Sequence, residues 1–184
     1  MDVMRNPSDS EGRLDLANGA TLAGATFSNA MAGVVHTLGH ATGSVCGVPH
    51  GVCMAILLPY GLEYIMHKNA HFTEELLLPL AGEKIYASTP KHLRAEEVVA
   101  HIRRMNQDLH DATAGRHARF LEVVKDREGR QVVPTEGLED IAAAALDDGS
   151  IFYNPEECDY EDFLMILKAA WEGTPLDRGL IKGV

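Results

Sequence analysis

Apolar and small side chains recur every three or four residues along nearly the whole chain, the period of one helix face. After Ser8 and Ser10, either of which is placed to cap a helix N-terminus, positions Leu14, Ala17, Thr21, Gly24, Ser28, Met31 and Val35 form one stripe made mostly of small residues. Small residues let helices approach closely. Gly19, Gly24 and Gly33 each lower helix stability by about 1 kcal/mol relative to Ala. The stripe therefore predicts tight packing against a neighbour, or a break between residues 29 and 33. A second helix should carry His36 and His40 and stop near Gly47, and a third should run from about His50 to Ile65, with Pro59 kinking it or ending its first part. Shorter helical stretches follow at residues 73–81 and 84–87, then a turn at Ser88-Thr-Pro90 and an amphipathic helix over residues 94–110. Glu96 and Glu97 open that helix and Arg103 and Arg104 lie further on, matching its dipole. Residues 120–133 are the least helical and suggest a hairpin-like excursion around Gly129. Thr135 is placed to cap a helix over residues 138–146, Asn154-Pro155 should make a turn, and residues 160–171 form the last helix. The fold class expected is all-α, a multi-helix bundle.

The length of 184 residues suits one domain able to bury a core without disulfides. The net charge of -11 argues against binding nucleic acid through its phosphates. Arg103-Arg104 and Arg116 to Arg119 are basic clusters set among carboxylates. No apolar run approaches the roughly 20 residues needed to span a bilayer. Three cysteines without a Cys-x-x-Cys spacing fit free thiols in a reducing cytoplasm better than a disulfide framework. The expectation is a soluble cytoplasmic protein with no nucleic-acid or membrane partner.

Three histidines within residues 33–53 change the picture. Imidazole binds metals and moves protons near neutral pH. His36 and His40 are four apart, on one helix face; Gly47, Pro49 and Gly51 set His50 at a loop-to-helix junction. Cys46 and Cys53 flank His50, and a thiolate ligand is conceivable, but buried Cys usually acts as a small hydrophobe. The remaining histidines, His67, His71, His92, His101, His110 and His117, share no spacing and read as surface or structural. Met31, Met54, Met66, Met105 and Met165 read as core filling. Phe27 and Tyr60 could wall a pocket, with core packing the preferred reading.

The histidine stretch resembles the metal-binding signature of the iron-containing (group III) alcohol dehydrogenases. The likeness extends through Leu22-Ala-Gly-Ala-Thr-Phe-Ser-Asn-Ala30 before it and Ala55-Ile-Leu-Leu-Pro-Tyr60 after it. It resumes at Gly149-Ser-Ile-Phe-Tyr-Asn-Pro-Glu156 and Tyr160-Glu-Asp-Phe-Leu-Met-Ile-Leu-Lys-Ala-Ala170, so it covers residues 6–173. In that family an Asp and three His hold a divalent metal, usually Fe²⁺, which polarises the substrate oxygen while hydride passes to or from NAD(P). The resemblance gives His36 and His50 to the metal and places His40 beside the nicotinamide and substrate. Helix geometry alone would instead have paired His36 with His40 on one ion.

The departures from the family are as informative. No Gly-x-Gly-x-x-Gly follows a β-rich run, and no Asp-x-x-x-His occurs. Glu63 with His67 and Glu97 with His101 only imitate the second pattern and read as solvated helix faces. Residues 1–184 therefore look like a single helical metal-binding domain, without the family's N-terminal dinucleotide-binding domain. The expected partners are a small alcohol or aldehyde, that missing domain or another chain, and further copies in a homo-oligomer. Metal identity stays open between Fe²⁺, Zn²⁺ and another divalent ion, since imidazole suits several. Alone, the chain should hold metal weakly and not transfer hydride. Two rivals remain: a non-catalytic helical module that binds metal or a subunit through its bare face, and a metal hydrolase in which His36, His40 and His50 share one ion and leave a position open.

Overall fold

The structure, a computed structural model, describes residues 2–181, and its helices follow the period read above. They are α1 (Asp2–Arg5), α2 (Ser10–Ala30), α3 (Val34–Cys46), α4 (His50–Glu74), α5 (Leu77–Ser88), α6 (Arg94–Ala112), α7 (Leu138–Ala145) and α8 (Tyr160–Glu172), joined by loops and short 3-10 turns. Among the described residues no strand forms; the excursion after α6 closes with a single antiparallel bridge between Lys125 and Gln131. The fold is all-α.

The core lies where α3, α4, α7 and α8 meet. Leu38, Ile56, Leu57, Ile141, Phe163 and Leu167 are fully buried in one cluster, each worth roughly 1.5–3 kcal/mol of transfer from water. A smaller cluster of Leu77, Val98 and Ile102 joins α5 to α6. The closeness of α3 and α4 depends on Gly61, where a Cβ would come within 2.4 Å of Val35 Cγ2. Gly47 ends α3 at φ 70°, a left-handed cap that glycine adopts without penalty. The last helix is bracketed as firmly: Asp159 and Asp162 form a reciprocal capping box, and Gly173 closes the C-terminus.

Several expectations are corrected. Asp9, not Ser8 or Ser10, caps α2, accepting from the Gly12 N–H. Of the two expectations for the small-residue stripe of α2, tight packing fails, since none of its residues is buried, and the break between residues 29 and 33 holds, at Met31, φ 61°. α4 does not end near Ile65 but continues to Glu74, kinked at Asn69. Pro59 is tolerated inside it because its missing N–H leaves one carbonyl free, that of Ala55, and Asn106 Nδ2 of α6 donates to that oxygen at 2.8 Å. Residues 73–81 and 84–87 are not separate; α5 joins most of both across a kink at Gly82. Thr135 opens a 3-10 turn instead of capping α7 with its side chain. Glu63 is no solvated residue: it is buried and paired with Arg103 of α6. Met31 and Met105 are exposed, whereas Met66 is core.

Candidate functional site

α3 presents His36 and His40 one turn apart, and α4 begins at His50 after the turn Gly47–Pro49. The short turn folds α4 back along α3 and brings the three rings together. Ring centroids are 5.7 Å apart for His36 and His40, 5.5 Å for His36 and His50, and 5.5 Å for His40 and His50. Two imidazoles on one tetrahedral ion at about 2.1 Å would have centroids about 5.2 Å apart, so each pair is within easy adjustment of a shared ion. His36 is held neutral, first by burial and then by His40 and His50, which together outweigh the pull of Asp148. A neutral ring is the form that ligates metal. Among the described residues no set of three or more His, Cys, Asp or Glu side chains is arranged to hold an ion. The residues present thus fit part of a metal site and do not close one.

His40 differs from the other two. Its Nδ1 lies 2.8 Å from Asp148 Oδ2, a contact across 108 residues of sequence. The other carboxylate oxygen of Asp148 accepts the Ser150 N–H at 2.8 Å, so the carboxylate is fixed at both ends. Burial pushes the Asp148 carboxyl up, but the hydrogen bonds from Ser150 and the contact with His40 outweigh it and keep it below the ordinary value. A carboxylate beside Nδ1 makes that nitrogen the protonated one and leaves Nε2 as the free lone pair. The same loop latches α3 a second time: Asn154 Oδ1 accepts the Val34 N–H at 3.0 Å, capping the helix that carries both histidines.

Asp148 is not among the residues that the sequence singles out. The available signal was the Asp148-Gly-Ser turn, whose aspartate favours bonding to a backbone N–H two residues on, but nothing in it names His40 as the second partner. Phe27 is neither core nor deep wall; it is half-exposed, with its ring 5.9 Å from that of His36. Tyr60 is core, as preferred. Cys53 is buried and its thiol pushed up to about 11, first by burial; the Cys46 thiol is likewise raised, first by burial. Neither is poised as a thiolate ligand. His110 and His117 are structural, His110 Nδ1 meeting the His117 carbonyl at 2.8 Å. No helix among the described residues is long and apolar enough to cross a membrane.

The sequence model described as "Fe-containing alcohol dehydrogenase family, C-terminal" matches residues 1–171. The chain is 32% identical over 166 residues to the lactaldehyde reductase of Escherichia coli (strain K12), covering 89% of this chain and 39% of that protein. It is 30% identical over 164 residues to the 1,3-propanediol dehydrogenase of Klebsiella pneumoniae, covering 89% of this chain and 38% of that one. The crystal structure of a 1,3-propanediol oxidoreductase superposes with a TM-score of 0.75 at 29% identity, over 89% of this chain and 39% of its own. The alcohol dehydrogenase from Oenococcus oeni gives 0.77 at 25% identity, over 92% and 40%. The chain thus spans about 39% of the curated relative named first. With residues 1–171 matched and the all-α fold shared, this chain belongs to the Fe-containing alcohol dehydrogenase family, as a C-terminal domain.

Proposed function

We propose that this chain supplies the histidine side of the active site of a metal-dependent, NAD(P)-linked alcohol dehydrogenase that interconverts an alcohol and an aldehyde or ketone. The observation that carries this reading is the gathering of three imidazoles at the α3–α4 turn, one of them tied to a carboxylate. Residues 1–184 are read as one helical metal-binding domain, with dinucleotide binding and the missing ligands supplied by a segment or chain outside them. His36 and His50 would hold the divalent ion, Fe²⁺ or another such as Zn²⁺. When bound, the ion contributes Lewis acidity at the substrate oxygen, and the nicotinamide contributes the hydride chemistry.

The chain's own residues account for the rest. His40 is the catalytic residue beside the nicotinamide and substrate: with Nδ1–H held by Asp148, its Nε2 accepts or returns the hydroxyl proton. Its side chain is 39% exposed, which gives that proton a route to solvent. Asp148 acts through His40 as a positioning residue, fixing ring and tautomer. Phe27 shields one side of His36 from water. Three free thiols suit a reducing cytoplasm, and assembly into a homo-oligomer belongs to the same proposal.

Metal content of the purified chain, measured by inductively coupled plasma mass spectrometry, tests the assignment. His36→Ala and His50→Ala should each lose the metal that the native chain retains, and His40→Ala should keep it. Equal loss in all three would replace this reading with a three-histidine site. In the complete enzyme, His40→Ala should lower turnover about 10²-fold or more, and Asp148→Asn should lower it and move its pH profile. By itself the chain should transfer no hydride.

A further inference from the structure

About 15 Å along α4 from His50, ten residues at 1.5 Å each, the chain builds a second polar site with no part in the first. Tyr60 of α4, Arg103 and Asn106 of α6, Arg119 and Phe120 of the next loop and Gly173 at the end of α8 enclose a cavity of about 120 Å³. Drug-sized ligand sites are roughly 300–1,000 Å³; this one has room for a tetrahedral oxyanion or a carboxylate on a short stem, and excludes a nucleotide.

The two guanidinium groups of the cavity are unequally answered. Arg103 meets both oxygens of Glu63, at 2.5 and 3.0 Å, and Glu63 Oε2 also accepts the Leu176 N–H at 3.0 Å. That ion pair is closed. Arg119 instead donates from Nη1 to the neutral Oε1 of Gln107, whose own amide donates to Asp111 at 2.8 Å. The carboxylate in this chain of contacts stands one amide away from the charge. Arg119 also lies over the Phe120 ring, 5.5 Å from its centre. Its Nε–H is shielded from solvent and has no hydrogen-bond partner among the described residues. Buried guanidinium donors are normally filled, because an unmade bond to a charged group costs more than one to a neutral group.

Asn106, the neutral amide of the cavity wall, is already engaged. Asn106 is held by the Ala55 carbonyl through Nδ2 and by His117 through Oδ1, so it cannot swing to answer Arg119. A chain of net charge -11 repels anions over its surface generally, so a saturable anion requires a built positive site. We propose that this cavity is a binding site for a small oxyanion of phosphate or carboxylate type, with Arg119 as its principal donor.

The test uses the whole chain with inorganic phosphate and acetate as probes, each against sodium chloride at equal ionic strength and pH. Isothermal titration calorimetry should show saturable binding of at least one probe. Arg119→Gln should weaken it at least tenfold. Arg119→Lys, which keeps the charge but loses the planar fork, should fall between, and Arg130→Gln, which removes an exposed guanidinium outside the cavity, should bind as the native chain does. In the native chain the ¹H–¹⁵N signal of Arg119 Nε–H should move along the same isotherm, a readout that does not depend on a variant folding. The proposal is overturned by any of three results: no saturation with either probe, unchanged affinity in Arg119→Gln, or an Nε–H signal that stays still while heat is released.

Discussion

α2 and α3 are neighbours in sequence, both rich in small residues at helical spacing, and they meet opposite fates. α3 buries Val34, Thr37, Leu38, Gly39, Ala41 and Thr42 within 13 residues; α2 buries nothing in 21. Leu38 is fully enclosed, while Leu14, Leu16 and Leu22 are each at least 60% exposed. Periodicity reports that a helix has an apolar face and is silent on what covers it. α3 finds its cover within the chain, on α4 and α7. The apolar face of α2 has no cover among the described residues, and an unsupported helix is marginal in water.

The largest expected effect would break this contrast if it failed. Leu38→Ala should cost about 2–5 kcal/mol, the range for a leucine removed from a packed core, whereas Leu22→Ala should change stability by less than about 0.5 kcal/mol. Urea unfolding followed by circular dichroism measures both. A comparable loss at Leu22 would show α2 to be packed, and the two helices to be alike.

A sharper form uses one substitution twice. Gly61→Ala drives a methyl into Val35, a side chain with little freedom to move, and should cost about 1–3 kcal/mol through overpacking. Gly19→Ala meets nothing within 4 Å and should stabilise by up to about 1 kcal/mol, the helix-propensity gain. Opposite signs for the same change would mark one glycine as a contact and the other as a gap. Smaller still, Asn154→Ala removes the acceptor for the Val34 N–H and should cost about 1 kcal/mol, as other lost caps do. Protection of the Val34 amide from hydrogen exchange should fall with it.

These contrasts locate what the sequence could and could not say. The helix order and the three-histidine grouping are legible because they depend on local signals: a period of 3.6, Gly47 as a stop, and four-residue spacing on one face. What was lost is non-local. Asp148 reaches His40 across 108 positions, and no pattern near either residue records the meeting. Glu63 looks like half of a solvated pair with His67 until α6 delivers Arg103, 40 residues later. Pro59 reads equally as a kink or a helix end because the compensating amide, Asn106, comes 47 positions further on, from α6. In each case a short-range rule gave way to a partner that only the packed bundle brings close.

The smallest predicted effect separates the same two regions by pH. The first histidine of the chain is His36, so α2 contributes no group that titrates near pH 6, and any stability change between pH 7.5 and 5.5 belongs to the packed body. His117 sits below its ordinary value of 6.5, first through burial and then through the neighbouring His110. Its folded pKa is therefore below its unfolded pKa. As pH falls past 6.5 the unfolded chain takes up a proton that the folded chain refuses, which favours unfolding until pH drops below the folded value. Carboxylates with lowered values, Asp126 and Asp148, start from 3.8 and lie outside this window. The urea midpoint should thus fall between pH 7.5 and 5.5, and His117→Gln should flatten that fall. Equal slopes in the two proteins would mean that His117 titrates alike folded and unfolded, and that the packed body gains its acid sensitivity elsewhere.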